Sequence, residues 1–330
     1  MRLNVEKNSF KLKKIFTISR GSRTSADVIT VTIRDKGLKG WAECVPYKRY
    51  NESLETVIEQ IKSIKLPTSI SQLQESLGPG AARNAVDCAL WDLKAKTTGT
   101  PVWKLLGIEE PEPSITAYTI SLDTPENMEK EARQKKNYPI LKVKLGGSND
   151  ENCIRAVRKG SPKARIIVDA NEGWTPEIYT YLGPVFKNLG VELVEQPFPA
   201  GKDSILRSLD RILPVCADES CHDLKSLDDL LGLYDFVNIK LDKTGGLTEA
   251  IKVLKSAREK GFKIMLGCMV GSSLAMAPAM LLAHMCDFVD LDGPLLLDED
   301  RPNPLRYDNH LAFPPESNLW GHPRSTHFHW

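Results

Sequence analysis

The sequence predicts an α/β protein in which a parallel barrel of eight strand–helix units follows a smaller α+β domain. Three observations lead there. Short apolar runs recur from Ser114 onward, at about 114–120, 140–145, 165–169, 191–195, 214–218, 236–240, 263–267 and 287–291. Eight is the number that closes such a barrel. Charged residues mark the ends of five successive runs, Lys144, Asp169, Glu195, Asp218 and Lys240, at steps of 22 to 26 residues. One strand, one helix and two short loops use about that length, since eight units take about 250 residues. Finally, the intervening stretches have helical spacing, as in Thr248 to Lys260, where Ala250, Ile251, Val253, Leu254 and Ala257 form one face.

Residues 1–112 read as the α+β domain. Val28-Ile-Thr-Val-Thr-Ile33 and Leu38-Lys-Gly-Trp-Ala-Glu43 flank a turn at Lys36-Gly37 and predict an antiparallel hairpin. Leu54, Val57, Ile58 and Ile61 predict a helix from Ser53 to Ile64. Ala81, Ala85, Cys88, Ala89 and Leu93 predict a second from about Gly80 to Lys96, ended by Gly99-Thr-Pro101. Pro111-Glu-Pro113 is the expected linker. The barrel spans 113–298, and a tail, 299–330, is expected to pack back on the first domain or stay mobile. Its His310, His322, His327 and His329 fit no metal-binding spacing. Gly245-Gly246 after Thr244 reads as a tight turn rather than a phosphate cradle.

Bulk properties narrow the function. The net charge of +1 favours neither nucleic acid nor membrane as a partner. No apolar run is long enough to span a bilayer, and Met1 to Lys14 is too polar for a signal peptide. Seven cysteines, an odd number without a C-x-x-C, suggest reduced thiols and the cytoplasm. Homo-oligomerisation is compatible with the sequence and not specified by it.

The charged strand ends belong on the C-terminal rim, where barrel enzymes keep their chemistry. Asp169, Glu195 and Asp218 supply hard oxygen donors, which suit one Mg²⁺ per subunit, with Mn²⁺ as a substitute, better than Zn²⁺. Lys144 and Lys240 lie four strands apart, across the mouth. Two lysines on opposite faces of one metal-bound carboxylate predict a 1,1-proton transfer, a racemisation or epimerisation, with the metal stabilising the enediolate. Lys142, two residues before Lys144, points the same way by alternation, and its charge would lower the pKa of Lys144. Each residue also has a plain reading: a strand-end lysine is ordinarily solvated, and three carboxylates can be salt-bridge partners. It is their order and spacing that favour chemistry.

At this point the chain resembles the enolase superfamily, muconate-lactonising subgroup. The matching motifs are Lys142-Val-Lys144, Val168-Asp-Ala-Asn171 with Trp174, Glu195-Gln-Pro197, Ala217-Asp-Glu-Ser220, Asn238-Ile-Lys240 and the helix signature Ala81 to Leu93. The resemblance implies a modified TIM barrel, (β/α)7β, under an α+β capping domain whose loops select the substrate. Within the superfamily the chain is most similar to the dipeptide epimerases acting on L-Ala-L-Glu and L-Ala-D-Glu, which implies an isomerase of murein peptide metabolism. Asp290-Leu-Asp292 resembles their Asp-x-Asp motif and would hold the dipeptide ammonium. Arg20, in Ile18-Ser-Arg-Gly-Ser-Arg23, falls where their substrate arginine sits and would pair with the Glu γ-carboxylate. Lys142 joins the substrate-binding set, and Asn171 is expected to orient a ligand or water from behind. Arg23 reads as structural or solvent-facing, and Glu219 as a structural ion pair pointing elsewhere. Asp87, Trp91 and Asp92 read as packing and inter-domain contacts.

The alternatives are an epimerase for another dipeptide, an N-acylamino acid racemase, an o-succinylbenzoate synthase or a cycloisomerase. The two aspartates argue against substrates without an ammonium. A dehydratase would place a base where Leu266-Gly-Cys-Met269 stands. An inactive scaffold, or a Schiff-base aldolase, would not need three clustered carboxylates.

Overall fold

The computed structural model describes residues 1–147 and 149–323, so His327 and His329 lie outside the described residues. Strands β1 (Arg2–Ile18), β2 (Gly21–Asp35) and β3 (Leu38–Cys44) form an antiparallel meander. The predicted hairpin is β2–β3. Strand β1 is an addition, because its run of Lys, Asn and Glu is solvated on one face and only half-buried on the other. The β1–β2 register shifts between Lys11 and Phe16, which carries the hairpin tip out over the barrel. Against the meander packs the helix Ala81–Thr98, capped by Gly99 in the left-handed conformation. A side chain at Gly40 would begin 2.2 Å from the Ala89 carbonyl oxygen, so glycine there sets the helix–sheet distance.

Two short helices, Leu54–Lys62 and Ile70–Ser76, complete this part, each starting in a Ser capping box. Strand β4 (Ser114–Ile115) leaves for a small sheet with β13 (Tyr307–Asp308) and β14 (Leu311–Ala312). The predicted strand at 114–120 is therefore divided, and only its second half enters the barrel.

The barrel strands are β5 (Tyr118–Ile120), β6 (Ile140–Lys144), β7 (Arg165–Asp169), β8 (Val191–Glu195), β9 (Val215–Ala217), β10 (Phe236–Ile239), β11 (Lys263–Leu266) and β12 (Phe288–Val289). They pair in sequential order, all parallel. The Ala117 N–H donates to Val289 O at 2.8 Å and brings the two ends together. Helices connect the strands, except that a single 3₁₀ turn, Asp203–Arg207, stands between β8 and β9.

Strand alternation builds the interior in layers. Ala117, Ile140, Ile167, Leu193, Cys216, Phe236, Met265 and Phe288, one from each strand region, form an apolar floor. Two residues on, the same faces carry Thr119, Lys142, Asp169, Glu195, Asp218, Asn238, Gly267 and Asp290. A dry floor beneath a polar layer sharpens every electrostatic interaction above it.

The last described segment lies on the N-terminal unit. Trp41 Nε1 donates to Leu319 O at 2.6 Å, Gly321 N to Asp92 Oδ1 at 2.9 Å, and Trp320, fully buried, to Cys88 O at 3.2 Å. Among the described residues no helix is long and apolar enough to cross a membrane.

Candidate active site

Asp169 ends β7, Glu195 ends β8, and Asp218 follows β9. All three are buried, and each offers an oxygen within 4.8 Å of the other two. Burial, then the neighbouring Asp169 carboxylate, push Glu195 up to about 7. Burial alone would also raise Asp169, but Lys144 and Lys142 outweigh it and bring Asp169 down to about 2. Asp218 is likewise held well below the carboxylate range, by Lys240 and Lys243 against its burial. Three crowded buried carboxylates of this kind are a hard-oxygen donor set, and they fit a divalent cation such as Mg²⁺.

The lysines converge on these acids. Lys144 Nζ is 2.6 Å from Asp169 Oδ2, and Lys240 Nζ is 2.6 Å from Asp218 Oδ2. Burial opposes charge on Lys240, yet Asp218 keeps its pKa above the ordinary value. Both lysines line one cavity with Phe16, Arg20, Arg23, Tyr47, Glu219, Asp290 and Asp292. Asn171 lines it too, with its N–H on Asp169 Oδ1 at 2.9 Å and its own Oδ1 unpartnered.

Some expectations need revision. Lys142 is 1% exposed and does not line the cavity. Its ammonium lies below, 2.7 Å from Glu195, 2.8 Å from Asp290 and 3.4 Å from Asp169. Glu219 does not turn away. Strand β9 ends at Ala217, so alternation no longer governs, and the Cys221 N–H closes a turn on Asp218 O that brings Glu219 onto the cavity. There it meets Arg20, Nη2 to Oε1 at 2.6 Å. Arg23 also faces the cavity, its guanidinium 5.7 Å from the Tyr47 ring. Asp290 accepts from Lys142. Asp292 accepts from Thr119 N at 2.6 Å, and burial followed by the Asp290 charge pushes it up to about 7.

Two polar residues at this centre escaped the sequence reading. Lys243, fully buried, places Nζ 2.6 Å from Asp218 Oδ1 and 2.9 Å from Asn238 O. The signal was its spacing, three residues after Lys240 within the turn Leu241–Thr244, which folds it back under the strand end. Gln196 Oε1 accepts from Asp218 N at 2.9 Å and Ser220 N at 3.2 Å, joining the ends of β8 and β9.

The profile described as Enolase C-terminal domain-like matches residues 127–316. The profile described as Mandelate racemase / muconate lactonizing enzyme, N-terminal domain, matches residues 2–107. The chain belongs to the enolase superfamily. An N-acetyl-D-glutamate racemase of Pseudoalteromonas sp. is 46% identical over 89% of this chain and 95% of its own. The L-Ala-D/L-Glu epimerase of Escherichia coli K12 is 43% identical over 92% and 97%. An Agrobacterium tumefaciens enolase family member, described with bound sodium and L-Ala-L-Glu, superposes with a TM-score of 0.95 at 48% identity, over 97% of this chain and 99% of that one. Solved dipeptide epimerases of 26–29% identity are described as complexes with Mg and a dipeptide. The chain's close superfamily relatives are thus isomerases, epimerases and racemases of amino acid derivatives.

Proposed function

We propose that the protein is a Mg²⁺-dependent dipeptide epimerase that interconverts L-Ala-L-Glu and L-Ala-D-Glu. The observation that carries this reading is Lys144 and Lys240 lining one cavity on opposite sides of a carboxylate triad. They stand four strands apart in a ring of eight, so their Nζ atoms approach a bound α-carbon from opposite faces. One Nζ takes the α-proton and the other donates a proton to the far face, and the roles exchange for the reverse reaction. Asp169, Glu195 and Asp218 would hold the cation, which when bound neutralises the charge that develops on the substrate carboxylate. Asp290 and Asp292 receive the ammonium of the first residue. Asn171 steadies Asp169 through its backbone N–H. The capping unit, 1–112, lays the loop of Arg20 over the barrel, 113–298. Such an activity serves the breakdown of murein peptides in the cytoplasm.

A second reading, racemisation of N-acetylglutamate, is favoured by the relative of that activity. Its substrate has the same α-carbon and side chain but no ammonium. The test is ¹H NMR of L-Ala-L-Glu and of N-acetyl-L-Glu with protein and Mg²⁺ in D₂O. Loss of the Glu α-proton with appearance of the L,D dipeptide is expected. Exchange of N-acetylglutamate alone would replace the first reading by the second, and exchange of neither would overturn both.

A further inference from the structure

We infer that Lys243, Asn238 and the Asn171 backbone N–H restrict the three buried acids to one metal-facing oxygen each, and that this restriction selects a small octahedral dication such as Mg²⁺ against Ca²⁺. The inference rests on the reading of the triad as a metal centre and adds two positioning residues to it, Asn238 and Lys243.

The two oxygens of each acid are held differently. Asp169 Oδ1 accepts from Asn171 N at 2.9 Å, Glu195 Oε1 from Asn238 Nδ2 at 2.7 Å, and Asp218 Oδ1 from Lys243 Nζ at 2.6 Å. These donors are fixed. The first belongs to the backbone. Asn238 is fully buried, and a Cβ at Gly267 would begin 2.6 Å from its Oδ1, so the amide has no room to turn. Lys243 is 1% exposed, and its ammonium also donates to Asp218 O at 2.5 Å and to Asn238 O at 2.9 Å. Three acceptors use all of its protons.

The other oxygens have only lysine ammonium groups beside them. Asp169 Oδ2 faces Lys144 Nζ at 2.6 Å and Lys142 Nζ at 3.4 Å, and Asp218 Oδ2 faces Lys240 Nζ at 2.6 Å. Lys144 and Lys240 line the cavity and can swing into it. Glu195 Oε2 is buried without a hydrogen bond, although Lys142 Nζ lies 2.7 Å away. A buried carboxylate oxygen left without a hydrogen bond is accounted for by an ion that binds there.

A carboxylate tied through one oxygen cannot turn to give both to a cation. Ca²⁺ takes about six to eight oxygens and gains from bidentate carboxylates, whereas Mg²⁺ keeps a small octahedral shell completed by water or substrate. Three acids limited to one oxygen each, beneath a cavity open to a substrate carboxylate, suit the smaller ion. The acids alone would accept either dication, and the groups behind them decide between the two.

The test measures dissociation constants of Mg²⁺ and Ca²⁺, each added alone as its chloride to EDTA-stripped protein, by isothermal titration calorimetry. Wild type is compared with Asn238→Leu and Lys243→Met. The readout is the ratio of the two constants. Removing the Lys243 charge strengthens binding of both dications, and loosened packing weakens both, so neither effect moves the ratio. Wild type is expected to bind Mg²⁺ more tightly than Ca²⁺. In each variant that preference falls about tenfold, the lower end of what loss of an outer partner does to a metal site. Asn238→Leu keeps the side-chain shape and changes no charge, so it carries the test if Lys243→Met does not fold. A wild type that binds Ca²⁺ as tightly as Mg²⁺, or folded variants whose ratio stays within about twofold of wild type, overturns the inference. A wild type that binds neither ion overturns the metal-centre reading, and this inference with it.

Discussion

Lys142 Nζ stands 2.8 Å from Asp290 Oδ2, a contact that joins the floor of the candidate metal centre to the carboxylates proposed for the substrate ammonium. The same ammonium reaches Glu195 and Asp169. Burial disfavours charge on it, yet the surrounding acids keep it protonated, with a pKa well above the ordinary lysine value. One cation thus compensates three buried carboxylates from β7, β8 and the segment after β12. Lys142→Met fills the same space without the charge. The variant is expected to lose about 3–5 kcal/mol of stability in metal-free buffer, as when one partner of a buried pair is removed. Urea unfolding in EDTA measures this, and a loss below about 1 kcal/mol would show that the acids find other compensation.

Lys144 and Lys240 serve opposite faces of the α-carbon in the proposed reaction, so neither replaces the other. Lys144→Ala and Lys240→Ala are each expected to reduce epimerisation of L-Ala-L-Glu by about 10²–10⁴-fold, the contribution of a positioned acid or base. Circular dichroism of the folded variants and polarimetry of the dipeptide separate loss of chemistry from loss of structure. Full activity in either single variant refutes the two-base scheme.

The carboxylate triad links metal and stability. EDTA is expected to abolish epimerisation and Mg²⁺ to restore it. At a Mg²⁺ concentration about 100 times its dissociation constant, the folded state gains about 2.7 kcal/mol. Glu195→Gln removes one of the crowded charges, whose repulsion contributes to raising Glu195 to about 7. This variant is expected to lose most of the Mg²⁺-induced stabilisation and to retain its metal-free fold. A wild-type melt that does not respond to Mg²⁺ would contradict the assignment of these residues as ligands.

Much of this centre could be read in the sequence, because five successive barrel strands carry an apolar core and end on, or next to, a charge. That pattern placed Lys144, Asp169, Glu195, Asp218 and Lys240 on one rim, where they line or adjoin one cavity. The regions that resisted reading are those where period-two alternation stops. Glu219 lies beyond the end of β9, and a turn rather than the pleat sets its direction. Lys243 sits in a helical turn that folds back toward Asp218. Strand β1 was obscured by composition, since its face of Lys, Glu and Asn masks a half-buried stripe at Leu3, Val5 and Phe10. The commitment of Arg20 to Glu219 and Glu172 is a long-range contact that no local pattern encodes.

Asp87, on the helix Ala81–Thr98, gives the stability of the protein a pH dependence away from the active site. Its carboxylate accepts from Thr248 Oγ1 at 2.6 Å, Thr248 N at 3.0 Å and Gln74 Nε2 at 2.9 Å. Gly246 packs so closely that a Cβ there would meet Asp87 Oδ2 at 2.5 Å. Burial pushes Asp87 from 3.8 up to about 6, although these hydrogen bonds pull the other way. The folded state therefore holds this proton more tightly than the unfolded chain does. Its contribution is complete below about pH 4 and is lost as the pH rises through about 6, by at most about 3 kcal/mol. Asp87→Asn keeps the shape without the titration. Urea midpoints at intervals from pH 4 to 7 should show wild type losing stability relative to Asp87→Asn across that window. A difference between the two that stays constant with pH would place the proton elsewhere.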